Sequence, residues 1–580
     1  MNKESFKAII KKRWKIPYSE TISKTIGSFS LTEKVIFYLF ISIFIISSVV
    51  MLWRVNESYL VKIPTYGGTL TEGIVGYPRF VNPLLSVSDI DRDLTSLLYS
   101  GLMKVDSEGN LVPDLAEDYS ISEDGKTYTF TLKDDLYFHD NQPITVDDII
   151  FTIEKSKDPI IKSPRRVNWE GVEVIKVDEK TIEFILRQAY SPFIQNTTIG
   201  ILPKHIWSGV SSEEFPFSQF NINPVGSGPY KVDSIVYSDG GLPKEYKLTS
   251  FKKYASGRPY ITHINIKTYA NDKDLTDAYK KGDVISIYGI SPQLLSELKI
   301  PEGDLKTAPL PRVFGVFLNQ NSAPALLRNE VREALDIATN KKEIIDTVLG
   351  GYGQPISGPI PPKTLDQTEY TFDETNIERA KELLASNGWK EDENGILEKT
   401  SGKEKIKLTF SVSTSASPEL KATAQMLQAE WQKIGALVDI KIFDVGDLNQ
   451  NIIKPRKYDS LLFGEIIGRD LDLYPFWHSS QRNDPGLNVS MYTSVKADKI
   501  LENIRGTVDP EALEKLYTDF TKEVSNDKPA IFLYSPYFIY IMPTSIHNVK
   551  LGQLTTPSER FDGIENWYIE TNSVWKIFTK

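Results

Sequence analysis

Residues Val35–Trp53 (VIFYLFISIFIISSVVMLW) form an uninterrupted run of 19 residues without a charge. As a helix rising about 1.5 Å per residue the run spans roughly 28 Å, close to the hydrocarbon thickness of a bilayer. Lys34 and Arg54 bracket it, and residues 1–34 carry eight Lys/Arg against three Glu. Excess positive charge is retained on the cytoplasmic side, so the tail (1–34) is expected inside, on anionic headgroups, and everything after Arg54 outside. A cleaved signal peptide would have a shorter apolar core and a small-x-small site, which Trp53-Arg54-Val55-Asn56-Glu57 does not offer. The expectation is an uncleaved signal anchor over 35–53, followed by a tether over 54–65. The rest of the 580-residue chain is long enough for two or more domains. It carries a net charge of −15, which argues against a nucleic-acid partner. No cysteine occurs anywhere, which excludes disulfides, thiolate zinc sites, cysteine nucleophiles and lipid attachment through a cysteine.

The most ordered pattern in the exterior part runs from Ala116 to Glu154. Glu123-Asp124-Gly125 is a turn signal, after which Tyr128, Phe130 and Leu132 alternate with threonines, the period of a strand with one buried face. Leu136-Tyr137-Phe138 reads as a second short strand. His139-Asp140-Asn141-Gln142-Pro143 reads as a polar turn. Thr145 with Asp148 forms a capping-box-like start for a helix carrying Val146, Ile149, Ile150 and Ile153 on one face. The whole stretch resembles the signature region of the family 5 extracytoplasmic solute-binding proteins, the oligopeptide, dipeptide and nickel binders of ABC importers. Asn141 stands where family members usually have Gly, and Asn also tolerates a left-handed turn.

Other stretches give local structure. Asp89, Asp91 and Asp93 alternate, but Leu94 and Ser100 occupy the positions where a calcium loop needs Gly and Glu, so they read as an acidic helix start. Gly171–Leu186 is a hairpin about Asp178-Glu179-Lys180. Asn223–Tyr230 (NPVGSGPY) lacks the Lys-Ser/Thr of a phosphate loop and resembles the family's turn back into the first lobe. Arg312–Asn319 is a strand, Glu330–Ala338 a helix, and Asn340 caps another from Lys341 to Leu349. Pro355–Pro362 resembles the family's entry to the second lobe. The clearest unit is a strand (Ile406, Leu408, Phe410, Val412), a helix capped by Ser417 and Pro418 with a stripe of Leu420, Ala424, Leu427, Trp431 and Ile434, a stop at Gly435, and a strand (Val438, Ile440, Ile442). Strand–helix–strand of this length implies parallel pairing, with Ser413–Ser417 at the carboxyl edge where open α/β sheets bind ligands. Pro529–Met542 is apolar and strand-like and resembles the family's return crossing.

The five histidines make no His-Glu-x-x-His, and no Gly-x-Ser-x-Gly elbow occurs, so the residues offer no positive sign of an enzyme.

The resemblance covers the chain from about Tyr66 to its end. It implies an α/β, type II periplasmic-binding-protein-like fold of two lobes, preceded by the one transmembrane helix. It places lobe I at 66–95 and 205–315, an inserted subdomain at 96–204, lobe II at 316–535 and a return to lobe I at 536–580. It implies a monomeric ectodomain that encloses a solute, an oligopeptide first of all, and delivers it to an ABC permease with ATPase subunits, without cofactor or metal. Expected contacts are Glu72, Gly73, Ile74 and Val75 from lobe I, and Arg312, Phe314 and Phe317 from the hinge. From lobe II come Glu465, Gly468, Arg469, Asp470, Trp477, Asn488, Ser490 and Tyr492. Peptide-binding relatives hold the ligand's amino terminus with an acid just before an Asp-x-Asp-like segment. Here Ile466 and Ile467 stand there, leaving Glu465 or Asp470 as substitutes. Rival readings are an oligosaccharide or metal chelate in the same fold, and an extracellular hydrolase.

Overall fold

The structure, a computed structural model, describes residues 19–362, 372–469, 471–507 and 509–579, so Asp470 and the tail residues Lys3–Lys15 lie outside it. It divides into two compact units. One holds the described residues up to Thr65 together with those from Glu570 onward, and the other runs from Tyr66 to Ile569.

In the first unit the apolar run lies in a longer helix, Leu31–Tyr59, none of whose residues is buried. A capping box starts it early: the Ser30 amide donates to Glu33 Oε2 at 2.8 Å, and the Glu33 amide donates to Ser30 Oγ. No Pro or Gly follows Trp53, so the helix continues until Leu60 turns extended. The segment expected as a tether is therefore helix and then strand. Leu60–Pro64 pairs antiparallel with Thr571–Trp575, in register Leu60↔Trp575. The last residues of the chain, which the resemblance assigned to lobe I, thus join the helix unit.

In the second unit, among the described residues, twelve strands belong to one sheet that passes through both lobes. Two antiparallel segments carry it across. Leu305–Pro309 pairs with Tyr537–Ile541 in lobe I, and Arg312–Leu318 pairs with Ala530–Tyr534 and with Ser460–Ile466 in lobe II. Leu310-Pro311 and Ser535-Pro536 lie at the joint, where Ser535 Oγ donates to the Leu310 carbonyl at 2.7 Å. Proline at both crossings removes ladder donors, which breaks the sheet into two lobes at this line. In lobe I, Thr69–Val75 lies parallel between His263–Tyr269 and Ser286–Tyr288.

Lobe II contains the strand–helix–strand read from the sequence. Thr409–Ser415 is parallel to Leu437–Phe443, and Ser417 caps the helix Pro418–Gln432. Leu420, Ala424, Leu427 and Trp431 are buried as the stripe requires, each large side chain contributing about 1.5–3 kcal/mol. The first strand differs in one respect. It is split, with Glu404–Lys407 pairing instead in a small separate sheet with Leu397–Ser401.

The inserted subdomain is a four-stranded antiparallel sheet backed by the helix Val146–Lys157. Tyr128, Phe130 and Leu132 are buried against Phe184, Trp169 and Phe193. Gly125 and Asn141 both have positive φ, as their turns demand. The Thr145 amide and hydroxyl both donate to Asp148 Oδ2 at 2.8 Å. Leu136–Phe138 is not a strand: only the single bridge Tyr137↔Pro143 forms, because the turn is too tight to carry a ladder. His139 is fixed in one tautomer, its Nε2–H donating to the Gly228 carbonyl and its Nδ1 accepting from the Gly226 amide. Gly226 and Gly228 pass directly over the end of the helix Asp89–Leu98. A Cβ on Gly226 would meet the Leu98 carbonyl at 1.9 Å, which explains the glycines of NPVGSGPY without any phosphate.

Candidate functional site

A cavity of about 370 Å³ opens where lobe II meets lobe I. Its walls come from the second half of the helix Asp89–Leu98, from the subdomain around Arg165 and Gln195–Gly200, and from Thr555–Glu559, with Gly468 and Arg469 on the lobe II side. Three hydroxyls in this wall, Thr95 Oγ1, Tyr99 OH and Thr555 Oγ1, are buried and have no hydrogen-bond partner. Buried polar atoms are normally paired, so these three stand out in the wall. Two guanidiniums add charge. Arg92 has only a loose pairing, 3.8 Å, to the half-exposed Asp89. Among the described residues no carboxylate lies within ion-pairing distance of Arg165. Crowding by surrounding atoms, and secondarily the charge of Arg92, lower the Arg165 pKa, and the residue lines the cavity. The only acid on the wall among the described residues, Glu559, is committed to Arg469. The cavity is thus positively biased and suits an anionic group.

Arg469 joins the lobes at the cavity's edge. From lobe II it pairs with Glu559, donates to the Gly109 carbonyl at 2.9 Å and to the Gln553 carbonyl at 3.2 Å, and lies 3.8 Å from Asp562, all in lobe I. A second bridge runs beside it. The Tyr190 hydroxyl of the subdomain donates to Asp472 Oδ2 at 3.4 Å, and Asp472 also receives Arg505.

Most of the contacts expected from the sequence lie elsewhere. Glu72 is fully buried within lobe I, where Oε1 receives Arg560 Nε and Nη2 at 2.8 and 2.6 Å, and Oε2 receives the Tyr540 hydroxyl and Ser286 Oγ at 2.6 and 2.9 Å. Arg560 also grips Asp93 through Nη1 and Nη2 at 2.7 and 2.9 Å. Burial raises Asp93 above the usual carboxylate range in spite of that cation. Gly73 makes room for Leu275, Ile74 is core and Val75 packs beside it, so the strand's glycine serves packing rather than ligand approach. On the hinge, Phe314 stacks on Tyr534 at 5.1 Å, Phe317 is core, and Arg312 starts the strand with its Nε buried and unpartnered.

In lobe II, Trp477 is fully buried among Phe317, Tyr492, Phe520 and Phe532. Asn488 ties a loop together, its Nδ2 donating to the carbonyls of Trp477, His478 and Tyr492 and its Oδ1 receiving Ser490 Oγ and the Tyr492 amide. The Tyr492 hydroxyl donates to Asp527 at 2.6 Å. Glu465 faces the same core with both oxygens buried and unpartnered, and burial pushes its carboxyl well above the usual range. Among the described residues of the expected set, only Gly468 and Arg469 line the cavity. Ser413–Ser417 do not reach it.

The comparisons with known proteins agree with this two-lobed architecture. The model of "Bacterial extracellular solute-binding proteins, family 5 Middle" matches residues 110–486. The chain is 28% identical over 523 residues to the oligopeptide-binding protein AppA of Bacillus subtilis (strain 168), covering 87% of this chain and 92% of that one. The structure of AppA in complex with a nonapeptide superposes with a TM-score of 0.64 at 27% identity, over 88% of this chain and all of that one. NikZ from Campylobacter jejuni in complex with Ni(L-His) superposes with a TM-score of 0.65 at 25% identity, over 86% and 99% of the two chains.

Proposed function

The chain belongs to the family 5 bacterial extracellular solute-binding proteins, and from that premise we propose that it captures a peptide with a free carboxylate between its lobes and passes it, enclosed, to an ABC permease driven by cytoplasmic ATPase subunits. The observation that carries the peptide reading is the interlobe cavity, with two weakly countered guanidiniums in its wall and Thr95, Tyr99 and Thr555 among its lining residues. Its volume sits at the low end of small-ligand sites. A peptide carboxylate against Arg92 and Arg165 neutralises charge that lobe I leaves open, and the hydroxyls take up backbone or water-bridged bonds. Gly468 and Arg469 border the ligand. Lobe closure brings Arg469 onto Glu559 and Asp562, so the ligand is held by a protein–protein latch as well as by its own contacts.

The helix Leu31–Tyr59 supports an uncleaved anchor, with the basic tail cytoplasmic and the binding unit outside as a monomer. Family 5 proteins bind solutes rather than turn them over, and this chain is proposed to leave its ligand intact.

The test is a thermal-shift screen with a peptide library, followed by calorimetry on hits as free acids and as C-terminal amides. A hit that weakens on amidation is expected. If no peptide shifts the protein, the peptide reading fails, and glycan and metal-chelate panels examine the rival solutes. Equal binding of acid and amide sinks the carboxylate contact. Peptide recovered intact is expected by mass spectrometry; cleavage abolished by a single carboxylate change would establish the hydrolase reading instead.

A further inference from the structure

The C-terminal segment leaves the binding unit and returns to the end of the apolar helix. Leu60–Pro64 runs away from that helix, and its antiparallel partner Thr571–Trp575 runs back toward it. Trp575 arrives opposite Leu60, lies 6.4 Å from the Tyr59 ring and donates its Nε1–H to Asn56 Oδ1 at 2.8 Å. Asn56 is three residues past Trp53, the last residue of the charge-free run, or about 4.5 Å along a helix. Beyond Trp575 the chain makes a tight turn, Lys576–Phe578. Ile577 and Phe578 are 74% and 75% exposed, and Trp575 is 45% exposed. Three large apolar side chains in four residues are therefore unburied, and the first of them, Trp575, lies against the end of the helix just past Arg54.

Two features identify what covers them. The patch is continuous with a helix that is itself apolar all round and has no buried residue, so one apolar solvent serves both. Its composition, Trp with aliphatic and aromatic neighbours and Lys576 and Arg54 alongside, is that of a membrane–water interface, where indole sits at headgroup depth and cations reach phosphates. Resting on the reading of Leu31–Tyr59 as an uncleaved anchor, we infer that Trp575, Ile577 and Phe578 insert into the outer interface of the bilayer that the helix spans. The C-terminus is then a second lipid contact. The chain passes between the two units twice, at Thr65 and at Glu570.

The chain has no cysteine, so a single introduced one can be labelled specifically. Full-length Phe578→Cys, Phe44→Cys in mid-helix and Val445→Cys on the exposed surface of lobe II are each given an environment-sensitive fluorophore and reconstituted in liposomes whose lipids carry quenchers at defined depths. The label at 578 is expected to shift to the blue and to be quenched from headgroup depth, roughly 5–10 Å into the boundary. The label at 44 should respond to the deepest quenchers and that at 445 to none. A label at 578 that behaves like the one at 445, while 44 is quenched, overturns the inference and leaves the anchor standing. A blue shift at 578 without lipid quenching means that protein covers the patch, and also overturns it. Absence of quenching at 44 brings down the anchor and the inference together. As a check free of any label, Ile577→Asp/Phe578→Asp in liposomes should speed hydrogen exchange over Thr571–Trp575 and leave Tyr66–Ile569 unchanged. Unchanged exchange over Thr571–Trp575 counts against the inference.

Discussion

Replacing Arg560 by methionine removes the cation at the centre of lobe I and keeps an unbranched, apolar stem. Arg560, Glu72 and Asp93 have no exposed side-chain surface. The guanidinium makes four charge-assisted hydrogen bonds to the two acids and lies against the rings of Tyr288 and Phe561 at 3.9 and 4.0 Å. At about 1.5–3 kcal/mol for each bond to a charged group the sum overstates the loss, because the ion's own desolvation cost disappears with it. The governing quantity is the cost of stranding buried carboxylates, about 3–5 kcal/mol for a broken buried pair. Two acids lose the same partner here, so the upper end is expected. The assay is urea unfolding of the full-length protein. The midpoint should fall at constant m, since the surface exposed on unfolding is unchanged. The pH dependence gives the mechanism. With the cation gone, the burial that already raises the Asp93 carboxyl is no longer opposed by Arg560. A group raised in this way destabilises above the unfolded pKa, and the penalty vanishes as pH falls and both states become protonated. The deficit is therefore largest at neutral pH and shrinks toward pH 4. Adding Glu72→Gln and Asp93→Asn should restore most of it. A loss of no more than about 1 kcal/mol, the worth of an exposed pair, or a deficit that grows on acidification, refutes the reasoning. A Glu72→Gln variant that loses ligand but not stability would return Glu72 to the binding site.

Arg469→Gln should weaken peptide binding by about 10- to 100-fold, the equivalent of roughly 1.5–3 kcal/mol taken from the closed form, with the urea midpoint unmoved; calorimetry with a library hit measures it, and unchanged affinity would show that the latch does not hold the lobes. Burial lowers the His139 pKa to about 4 from an ordinary 6.5. The unfolded chain then binds more protons between those values, so stability is full above pH 6.5 and falls as pH drops toward 4, by about 3 kcal/mol; His139→Gln should flatten that slope in pH-dependent urea titrations. Burial raises the folded pKa of Glu465, so it lowers stability as pH rises above the ordinary carboxylate range; Glu465→Gln should be neutral or stabilising at pH 7 and leave peptide affinity intact, and a large affinity loss would make it the amine partner after all.

Periodic features of this molecule were readable from the chain because each is fixed by neighbours a few residues away. The strand–helix–strand of lobe II, the Thr145–Asp148 helix start and the turns at Gly125 and Asn141 all fall in this class. The site was not, for the opposite reason. Arg92, Arg165, Arg469 and Glu559 reach one cavity from four distant stretches, and of these only the stretch at Gly468-Arg469 was marked in the sequence. The three aspartates at the start of one helix make the difficulty concrete. Alternate positions on a helix point about 200° apart, so like residues meet unlike surroundings. Asp89 faces solvent near Arg92, Asp91 receives the amides of Arg79 and Phe80, and Asp93 is sealed against Arg560, 467 positions away.

The polar, aromatic stretch after Phe463 misled for a related reason. Aromatics beside hydrogen-bonding groups describe a binding face, and equally a loop whose polar atoms satisfy its own backbone while its rings fill a core. Asn488, with five bonds to its own loop, and Trp477, packed by four rings, decide for the loop. Trp567 and Trp575 pose the same ambiguity at the C-terminus. Trp567 is wholly buried in lobe I and Trp575 is nearly half exposed beside the apolar helix, although eight residues separate them. What distinguishes them is the strand pairing with Leu60–Pro64, a contact between the two ends of the chain that no local pattern encodes. Long-range pairing of this kind assembles the cavity wall and sets the place of the C-terminal turn, the two features on which the proposals rest. Variants chosen from the cavity wall and from the C-terminal turn therefore test the function more directly than variants of the family's signature stretch, which carries the fold.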